Sequence, residues 1–315
     1  MHWPMATVGA AEEEGVYTRS LCTGLGDRLG MLLALAAVAR AYNLTRVTMG
    51  WCVDPVGAFH NNPMHMHHIP GWTGYDFPLA TLRERLHLPE GVRLVLSDAP
   101  EVRGALAVRD TGSARVPPMQ GLPFLPWLGH EVFAVGDKPR VTRATFEAAY
   151  DAVRRDLWAR QGYEFDVVVH LRAWDVNTYH HPDFALTNYC TRAALERIAE
   201  ATPWLTVAVL SHNRTWARAV LGRQLRKKLL KGADAFYDMG ILLSARRGLV
   251  QHAAEGWSAF SSVASLARGL PLLSTYASPH HEHRHAYFAR FAPVPAHWMR
   301  CGDIEAFIAR LLFDV

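Results

Sequence analysis

The chain has few cysteines for its length. Four occur among 315 residues, at Cys22, Cys52, Cys190 and Cys301, and no two of them form a Cys-x-x-Cys pair. This spacing argues against a zinc knuckle and against a small domain held together by disulfides. We therefore expect free, buried thiols.

Long apolar runs and one-sided charge are also missing. The longest apolar run, 29–39, is far shorter than the ~20 residues of a membrane-spanning helix, so it predicts a buried helix and no membrane span. Lys and Arg number 33 against 29 Asp and Glu, an excess too small to indicate a nucleic-acid partner. No residue type recurs at a fixed period, which excludes repeat and collagen-like proteins.

A signal peptide is not visible either. The first residues contain three successive glutamates and no basic segment before an apolar one. We therefore expect a soluble cytoplasmic protein, with the lumen of the secretory pathway as the alternative if an anchor has been trimmed.

The densest basic stretch, 223–231, has leucines at helical spacing. It predicts a solvated helix face, and a patch that steers an anionic ligand is the alternative.

What the sequence does contain is a regular alternation of strand and helix patterns. The glycine turn Gly24-Leu-Gly26 precedes a helix that reaches Ala41, and continuous apolar runs predict strands buried on both faces. The predicted strands are 46–51, 92–97, 166–171, 205–210, 248–250 and 271–274, and the other predicted helices are 142–160, 191–201, 214–230, 258–269 and one after Asp303, its expected N-cap. Such alternation predicts an α/β fold.

Polar residues follow three of the predicted strands. They are His170-Leu-Arg172-Ala-Trp-Asp175, Ser211-His212-Asn213 and the helix opening at 257–262. Because ligands of α/β sheets bind at the carboxyl ends of strands, beside helix N-termini, these segments predict a nucleotide-diphosphate cleft. The structural alternatives are a local ion pair of Arg172 with Asp175, serines that only cap a helix, and a simple turn at 211–213.

The same motifs resemble one family. Gly24-Leu-Gly26-Asp27-Arg28 before an Ala- and Leu-rich helix, His170-x-Arg172-x-x-Asp175, and Phe260-Ser261-Ser262 before a helix look like the GDP-fucose-dependent fucosyltransferases, both the α1,6 type and the protein O-fucosyltransferases. The resemblance implies a GT-B fold, in which two Rossmann-like domains face each other across a cleft. We expect an acceptor-side domain at 1–140, a donor domain at 141–295 and a C-terminal helix at 296–315 that packs back across the interface.

The resemblance also implies roles for individual residues. Arg172 would hold the donor diphosphate and act in catalysis, and sugar transfer would invert the anomeric centre without a metal or other cofactor. The expected donor-binding residues are Gly24, Gly26, Arg28, His170, Arg172, Asp175, Ser211, Asn213, Phe260, Ser261 and Ser262. The acceptor, a glycan or glycoconjugate hydroxyl, is expected near Trp51, His65 and His67.

The chemistry is consistent with these roles. A guanidinium and helix N–H groups stabilise a leaving diphosphate without a cation, and no Asp-x-Asp motif follows a strand. Asp27, Asp54 and His170 are the candidates for the group that takes the acceptor proton. Ala173 stands where this family often has a second arginine, so a donor such as a UDP-sugar is the alternative.

Two rival interpretations belong to other classes. His281-Glu282-His283-Arg284-His285 matches the HExxH motif of zinc peptidases, with Glu305 as a third ligand. The segment lacks an apolar face that would hold it as a core helix, and the histidine cluster at 60–68 contains Asn and Pro, which favour a loop. A non-catalytic glycan-binding protein of the same fold is the third interpretation.

Overall fold

Two β-sheets organise the chain in the structure, which is a computed structural model. The structure describes residues 15–18, 25–44, 46–51, 92–96, 132–134, 143–158, 162, 164–172, 182–211, 213–226, 228–230, 235–252, 258–275 and 297–313.

The first sheet comes from the N-terminal part of the chain. Its strands are β1 (Gly15–Thr18), β2 (Arg46–Trp51), β3 (Val92–Leu96) and β4 (Val132–Ala134), in the order β3-β2-β1-β4. The first three are parallel, and β4 is antiparallel to β1. Helix α1 (Leu25–Ala41) connects β1 to β2, as a parallel pair requires. The strands predicted at 46–51 and 92–97 are confirmed.

The second sheet is entirely parallel. Its strands are β5 (Phe165–Leu171), β6 (Val207–Leu210), β7 (Ala245–His252), β8 (Leu272–Ser274) and β9 (Trp298–Arg300), in the order β6-β5-β7-β8-β9. The associated helices are α2 (Arg143–Trp158), α3 (Pro182–Ala201), α4 (Arg214–Val220), α5 (Arg223–Arg226), α6 (Ala235–Leu243), α7 (Ala259–Arg268) and α8 (Ile304–Phe313). The predicted α/β class with parallel strands is confirmed.

Helices cover both faces of the second sheet. Along β5, Val168 packs into a core with α1, α6 and α7, whereas Val167 and Val169 pack into a core with α3, α4 and α8. All three valines are fully buried. This double coverage explains why β5 is a continuous apolar run rather than an alternating one.

Helix α1 joins the two halves of the chain. It contacts β1 and β2 of the first sheet as well as α2 and α7. Leu29, Leu33 and Ala37 lie in the same core as Val263 and Ala264 of α7. A helix that is apolar all round must be buried in this way, so the expected buried helix is confirmed. The division into domains at residues 140 and 295 stays a prediction.

The helix predicted at 214–230 is wrong in its second half. Helix α4 ends at Val220 and α5 ends at Arg226, after which Leu229 forms a parallel bridge with Val209 at the open edge of β6. Val209 N donates to Lys228 O at 3.0 Å, and Leu230 N donates to Val209 O at 2.9 Å. Pairing the exposed edge of β6 outweighs the helical spacing of the leucines.

Two further expectations are corrected near the C-terminus. Cys190 of α3 and Cys301 form a disulfide across 111 residues, so these two thiols are not free; the distance along the sequence hid their proximity in the fold. Asp303 is not the N-cap of α8. It lies in a 3-10 turn (Cys301–Asp303), and its carboxylate accepts a hydrogen bond from Arg300 N at 2.9 Å.

Helix α8 lies against Gly248 of β7. A Cβ atom at position 248 would come within 2.6 Å of Leu311 Cδ2 and 3.0 Å of Phe307 Cζ. The close approach of this helix to the sheet therefore requires glycine. Among the described helices, none combines the length and the apolar character needed to cross a bilayer.

We predict that Gly248→Ala lowers the free energy of unfolding by about 1–3 kcal/mol, because the added methyl overpacks the contact with α8. Chemical denaturation measures the loss. Gly240→Ala is the matched control: its Cβ would meet nothing within 4 Å inside α6, and it should stabilise by about 0.4–1 kcal/mol. In the double variant Gly248→Ala/Leu311→Ala, the measured loss of stability should be smaller than the sum of the losses in the two single variants. Strictly additive losses would contradict the contact between position 248 and Leu311.

Candidate functional site

The second sheet has a point where its connections diverge. The chain passes from β5 to β6 on one side and later enters β7 on the other side of β5. The helices that follow these two strands, α3 after β5 and α7 after β7, pack on opposite faces of the sheet. In open α/β sheets such a divergence defines a crevice outside the carboxyl ends of the two strands. Crevices of this kind, at the carboxyl ends of parallel strands, are where α/β sheets bind ligands.

Arg172 lies at this crevice, immediately after β5. Its backbone N donates to His252 O at 3.1 Å, which extends the pairing of β5 with β7 by one residue. Its side chain is half-buried, and Nη1 donates to Ser258 Oγ at 2.8 Å. The guanidinium is thus directed toward the start of α7. Sequence reasoning placed Arg172 at a strand end, and the structure confirms that location.

Ser258 is the N-cap of α7, but its hydroxyl does not cap the helix. The residue has the extended backbone of an N-cap (φ −85°, ψ 121°), yet its side chain accepts no hydrogen bond from the first turn. It pairs with Arg172 instead. The first N–H groups of α7 therefore receive no oxygen from their own cap, and a helix N-terminus in this state attracts anions.

His170 and Ser261 form a second contact in the crevice. His170, the penultimate residue of β5, is buried, and its Nδ1 lies 2.6 Å from Ser261 Oγ. The ring of Phe260 lies 5.3 Å from the imidazole, centroid to centroid. The neighbouring Ser262 is also buried, and within the described part of the chain its hydroxyl has no hydrogen-bond partner. The structure thus brings His170 together with Phe260 and Ser261, and their donor-binding role stays a prediction.

Ser211 and Asn213 make local bonds. Asn213 N donates to Ser211 Oγ at 3.2 Å, and Asn213 Oδ1 accepts from Trp216 N at 3.0 Å, which caps α4. These contacts are those of the turn considered from the sequence. Both residues follow β6, beside β5 at the same edge of the sheet, and their donor-binding role stays a prediction.

The other predicted residues belong mainly to the first half. Gly26 and Arg28 are buried in the first turn of α1, and Arg28 is only 1% exposed. Asp27 lies between them, and Trp51 ends β2. Outside the described residues are Gly24, Asp54, His65, His67 and Asp175, together with the histidine cluster at 60–68 and the motif at 281–285. Among the residues the structure describes, no group of three or more His, Cys, Asp or Glu could hold a metal ion.

Sequence reasoning missed two polar residues that end β7. Gln251 and His252 are fully buried, and Gln251 Oε1 accepts from Ser258 N at 3.1 Å. His252 Nε2 lies 2.9 Å from Asn188 Oδ1. The available signal was their position directly after the apolar run at 248–250, since a buried amide or imidazole requires hydrogen-bond partners.

Burial lowers the pKa of His252 to about 4 from its ordinary value of 6.5. Desolvation is the main cause, because it disfavours the charged imidazolium, and backbone interactions oppose it only in part. His252 is therefore neutral at pH 7, and its ring packs edge-on against Trp216 with centroids 4.8 Å apart.

Comparison with known proteins yields little. No protein-family model and no curated protein matches the chain. Among solved structures, a match is the crystal structure of NodZ alpha-1,6-fucosyltransferase soaked with GDP-fucose. It is 12% identical to this chain with a TM-score of 0.39, and the match covers 81% of this chain and 92% of that chain.

We predict that the wild-type chain loses about 3 kcal/mol of stability relative to His252→Gln as the pH falls from 6.5 to 4. The unfolded chain takes up the proton near pH 6.5, whereas the folded chain does so only near pH 4, so protonation favours unfolding across this window. Denaturation at several pH values measures the difference, and parallel curves for the two proteins would contradict it.

The titration of Asp166 does not account for a loss of stability between pH 6.5 and pH 4. Burial raises its pKa, but hydrogen bonds from Thr206 and the charge and hydrogen bonds of Arg246 outweigh burial, and the net pKa lies below 3.8. Its contribution to stability is therefore lost only as the pH falls below that value.

Proposed function

We propose that the chain is a glycosyltransferase whose nucleotide-diphosphate sugar binds at the crevice between β5 and β7. The observation that carries the proposal is the hydrogen bond from Arg172 Nη1 to Ser258 Oγ, 2.8 Å long. It holds a guanidinium beside the N-terminus of α7, so a cation and a helix dipole act on the same space. A diphosphate is a ligand with enough negative charge to use both.

The arrangement suits the leaving group of a sugar transfer. As the bond to the sugar breaks, negative charge develops on the diphosphate, and donors fixed in advance stabilise that charge most effectively. Arg172 supplies a forked donor that matches phosphate oxygens. The N–H groups of α7 supply donors from the main chain. Together they perform without a metal the task that a divalent cation performs in other enzymes.

In the proposed reaction, an acceptor hydroxyl oxygen attacks the anomeric carbon from the face opposite the diphosphate. The new carbon–oxygen bond forms while the bond to the phosphate oxygen breaks, and its electron pair leaves with the diphosphate. The anomeric centre is inverted. The hydroxyl proton passes to a base, for which the candidates are Asp27, Asp54 and His170. Because Nδ1 of His170 is bonded to Ser261, we favour a carboxylate.

The finer assignment follows the motif resemblance. GDP-fucose is the proposed donor, because the order of the glycine turn, the His170-x-Arg172-x-x-Asp175 motif and the serine-rich helix start resembles enzymes that use it. The proposed acceptor is a glycan or glycoconjugate, bound near Trp51, His65 and His67. We also propose the GT-B arrangement, with the donor bound to the second half of the chain and the acceptor bound to the first.

We predict that GDP and GDP-fucose raise the melting temperature of the protein, with or without EDTA. Binding to the folded state alone stabilises by about 2.7 kcal/mol when the ligand is at one hundred times its Kd. Arg172→Ala should lose this response, measured as the change that each ligand causes in the variant's own melting temperature. The exposed Arg218 on α4 provides the control variant, Arg218→Ala, which should respond like wild type.

The same thermal-shift measurements, repeated with UDP and UDP-sugars, distinguish the alternative functions. Stabilisation by UDP and UDP-sugars alone would replace GDP-fucose by a UDP-sugar as the donor. A melting temperature that EDTA lowers in the absence of nucleotide would favour the zinc interpretation of 281–285. No response to any nucleotide, or an unchanged response in Arg172→Ala, would refute the proposed role of the crevice.

We further predict that one of Asp27→Asn and Asp54→Asn loses sugar transfer and still binds GDP. Removing the base lowers turnover by about 10²–10⁴-fold, whereas the donor contacts of the second half remain. Release of GDP in the presence of a glycan acceptor measures turnover, and calorimetry measures binding. If both variants turn over like wild type, neither carboxylate is the base; donor binding by wild type with no transfer to any acceptor would favour a glycan-binding protein.

A further inference from the structure

We propose that Gln251 and Ser258 are positioning residues that fix the guanidinium of Arg172 so that the site selects a diphosphate over a monophosphate. This inference rests on the proposed function of the same crevice and adds the residues that determine its selectivity. It starts from two buried polar side chains that hydrogen bonds connect to Arg172.

Gln251 is the first of them. It lies in β7 opposite His170 of β5 and Ser274 of β8, and its side chain is fully buried. Burying an amide costs about 1–3 kcal/mol unless it is hydrogen-bonded, and an apolar residue of equal volume would fill the same space. The amide oxygen accepts from Ser258 N at 3.1 Å. Gln251 therefore fixes where the backbone of Ser258 begins α7.

Ser258 is the second. Its side chain is 1% exposed and does not cap α7, so capping does not account for a serine at this position. Its hydroxyl instead receives the hydrogen bond from Arg172 Nη1. With its backbone N held by Gln251 and its hydroxyl held by Arg172, Ser258 links a rigid strand to the guanidinium.

Hydrogen bonds from Thr275 also hold the end of β7, which carries Gln251. Thr275 donates to Gln251 O from both N and Oγ1, at 3.0 and 3.1 Å. The Thr275 hydroxyl lies 2.6 Å from that of Thr191 on α3, and both threonines are fully buried. A chain of buried hydrogen bonds thus runs from α3 through β7 to the start of α7, which keeps Ser258 in one place.

Two hydrogen bonds consequently hold Arg172, one to the end of β7 and one to the start of α7. Its backbone N is bonded to His252 O, and its guanidinium to Ser258. A free arginine side chain carries about 2 kcal/mol of rotamer entropy, and holding it in advance removes part of that cost from ligand binding. In the proposed complex the guanidinium binds the phosphate that is joined to the sugar, which GDP has and GMP lacks, so a monophosphate gains little from a guanidinium held in advance. Positioning therefore favours the diphosphate.

The test is a double-mutant cycle on nucleotide binding, with GDP and GMP titrated by calorimetry into wild type, Ser258→Ala, Arg172→Ala and the double variant. Ser258→Ala should weaken GDP by about tenfold, as loss of a hydrogen bond to a charged group does, and leave GMP within about twofold. Arg172→Ala should weaken GDP further, and the double variant should bind GDP no worse than Arg172→Ala. Additive losses would overturn the proposal, because Ser258 would then act independently of Arg172.

Three variants separate positioning from structural damage. Ser258→Thr keeps the hydroxyl and should restore binding of GDP. Ser265→Ala removes a buried hydroxyl bonded to Leu270 O at the other end of α7, and it should bind like wild type whatever it does to stability. Gln251→Met keeps the side-chain volume, removes the acceptor for Ser258 N and should lower the preference for GDP over GMP. If Gln251→Met does not fold, the Ser258 series decides alone.

Failure of this inference and failure of the proposed function give different results. If wild type binds neither GDP nor UDP, the proposed function falls and the inference falls with it. If wild type binds GDP and Arg172→Ala does not, but Ser258→Ala keeps the full preference for GDP over GMP, only the positioning role is refuted. If UDP is the nucleotide bound, the same series with UDP and UMP decides.

Discussion

The site depends on one constraint, the hydrogen bond that holds the Arg172 guanidinium to Ser258 at the start of α7. This bond requires β5 and β7 to be neighbours, because the two residues lie 86 positions apart in the chain. The sheet order satisfies that requirement, and it also sends the two following connections to opposite faces. The same arrangement therefore supplies the charge, the helix terminus and the crevice between them.

Such precision requires a rigid frame, which the two cores provide. The valines of β5 alternate between them, and α1 extends one core into the first half of the chain. On the opposite face, Gly248 lets α8 approach the sheet closely, and the Cys190–Cys301 disulfide joins α3 to the turn before α8. The strand ends that carry Arg172 and Gln251 are thus fixed by packing on both faces of the sheet, so a hydrogen bond between distant residues can persist.

Most helices and strands could be predicted because apolar runs and their periods are local signals. The order of the strands could not, since it depends on pairings between distant segments, and the same limit hid the disulfide and the bridge of Leu229 to Val209. At the site, the position of Arg172 at a strand end was predictable. Its partner was not: from the sequence, Asp175 was the partner considered for Arg172, and Ser261 and Ser262 were expected to contact the donor. In the structure Ser258 bonds Arg172 and Ser261 bonds His170.

Two serine hydroxyls at the start of α7 bond side chains of the protein itself. Ser258 and Ser261 each bond a side chain from the end of β5, so they organise the residues that would face the ligand. In the proposed complex, the direct contacts with the diphosphate then come from the guanidinium and from main-chain N–H groups, which do not lose rotamer entropy when they bind. A site built in this way places its charge before the donor arrives, and for a leaving group whose charge grows during the reaction, prior placement is the condition for stabilising the transition state more than the ground state.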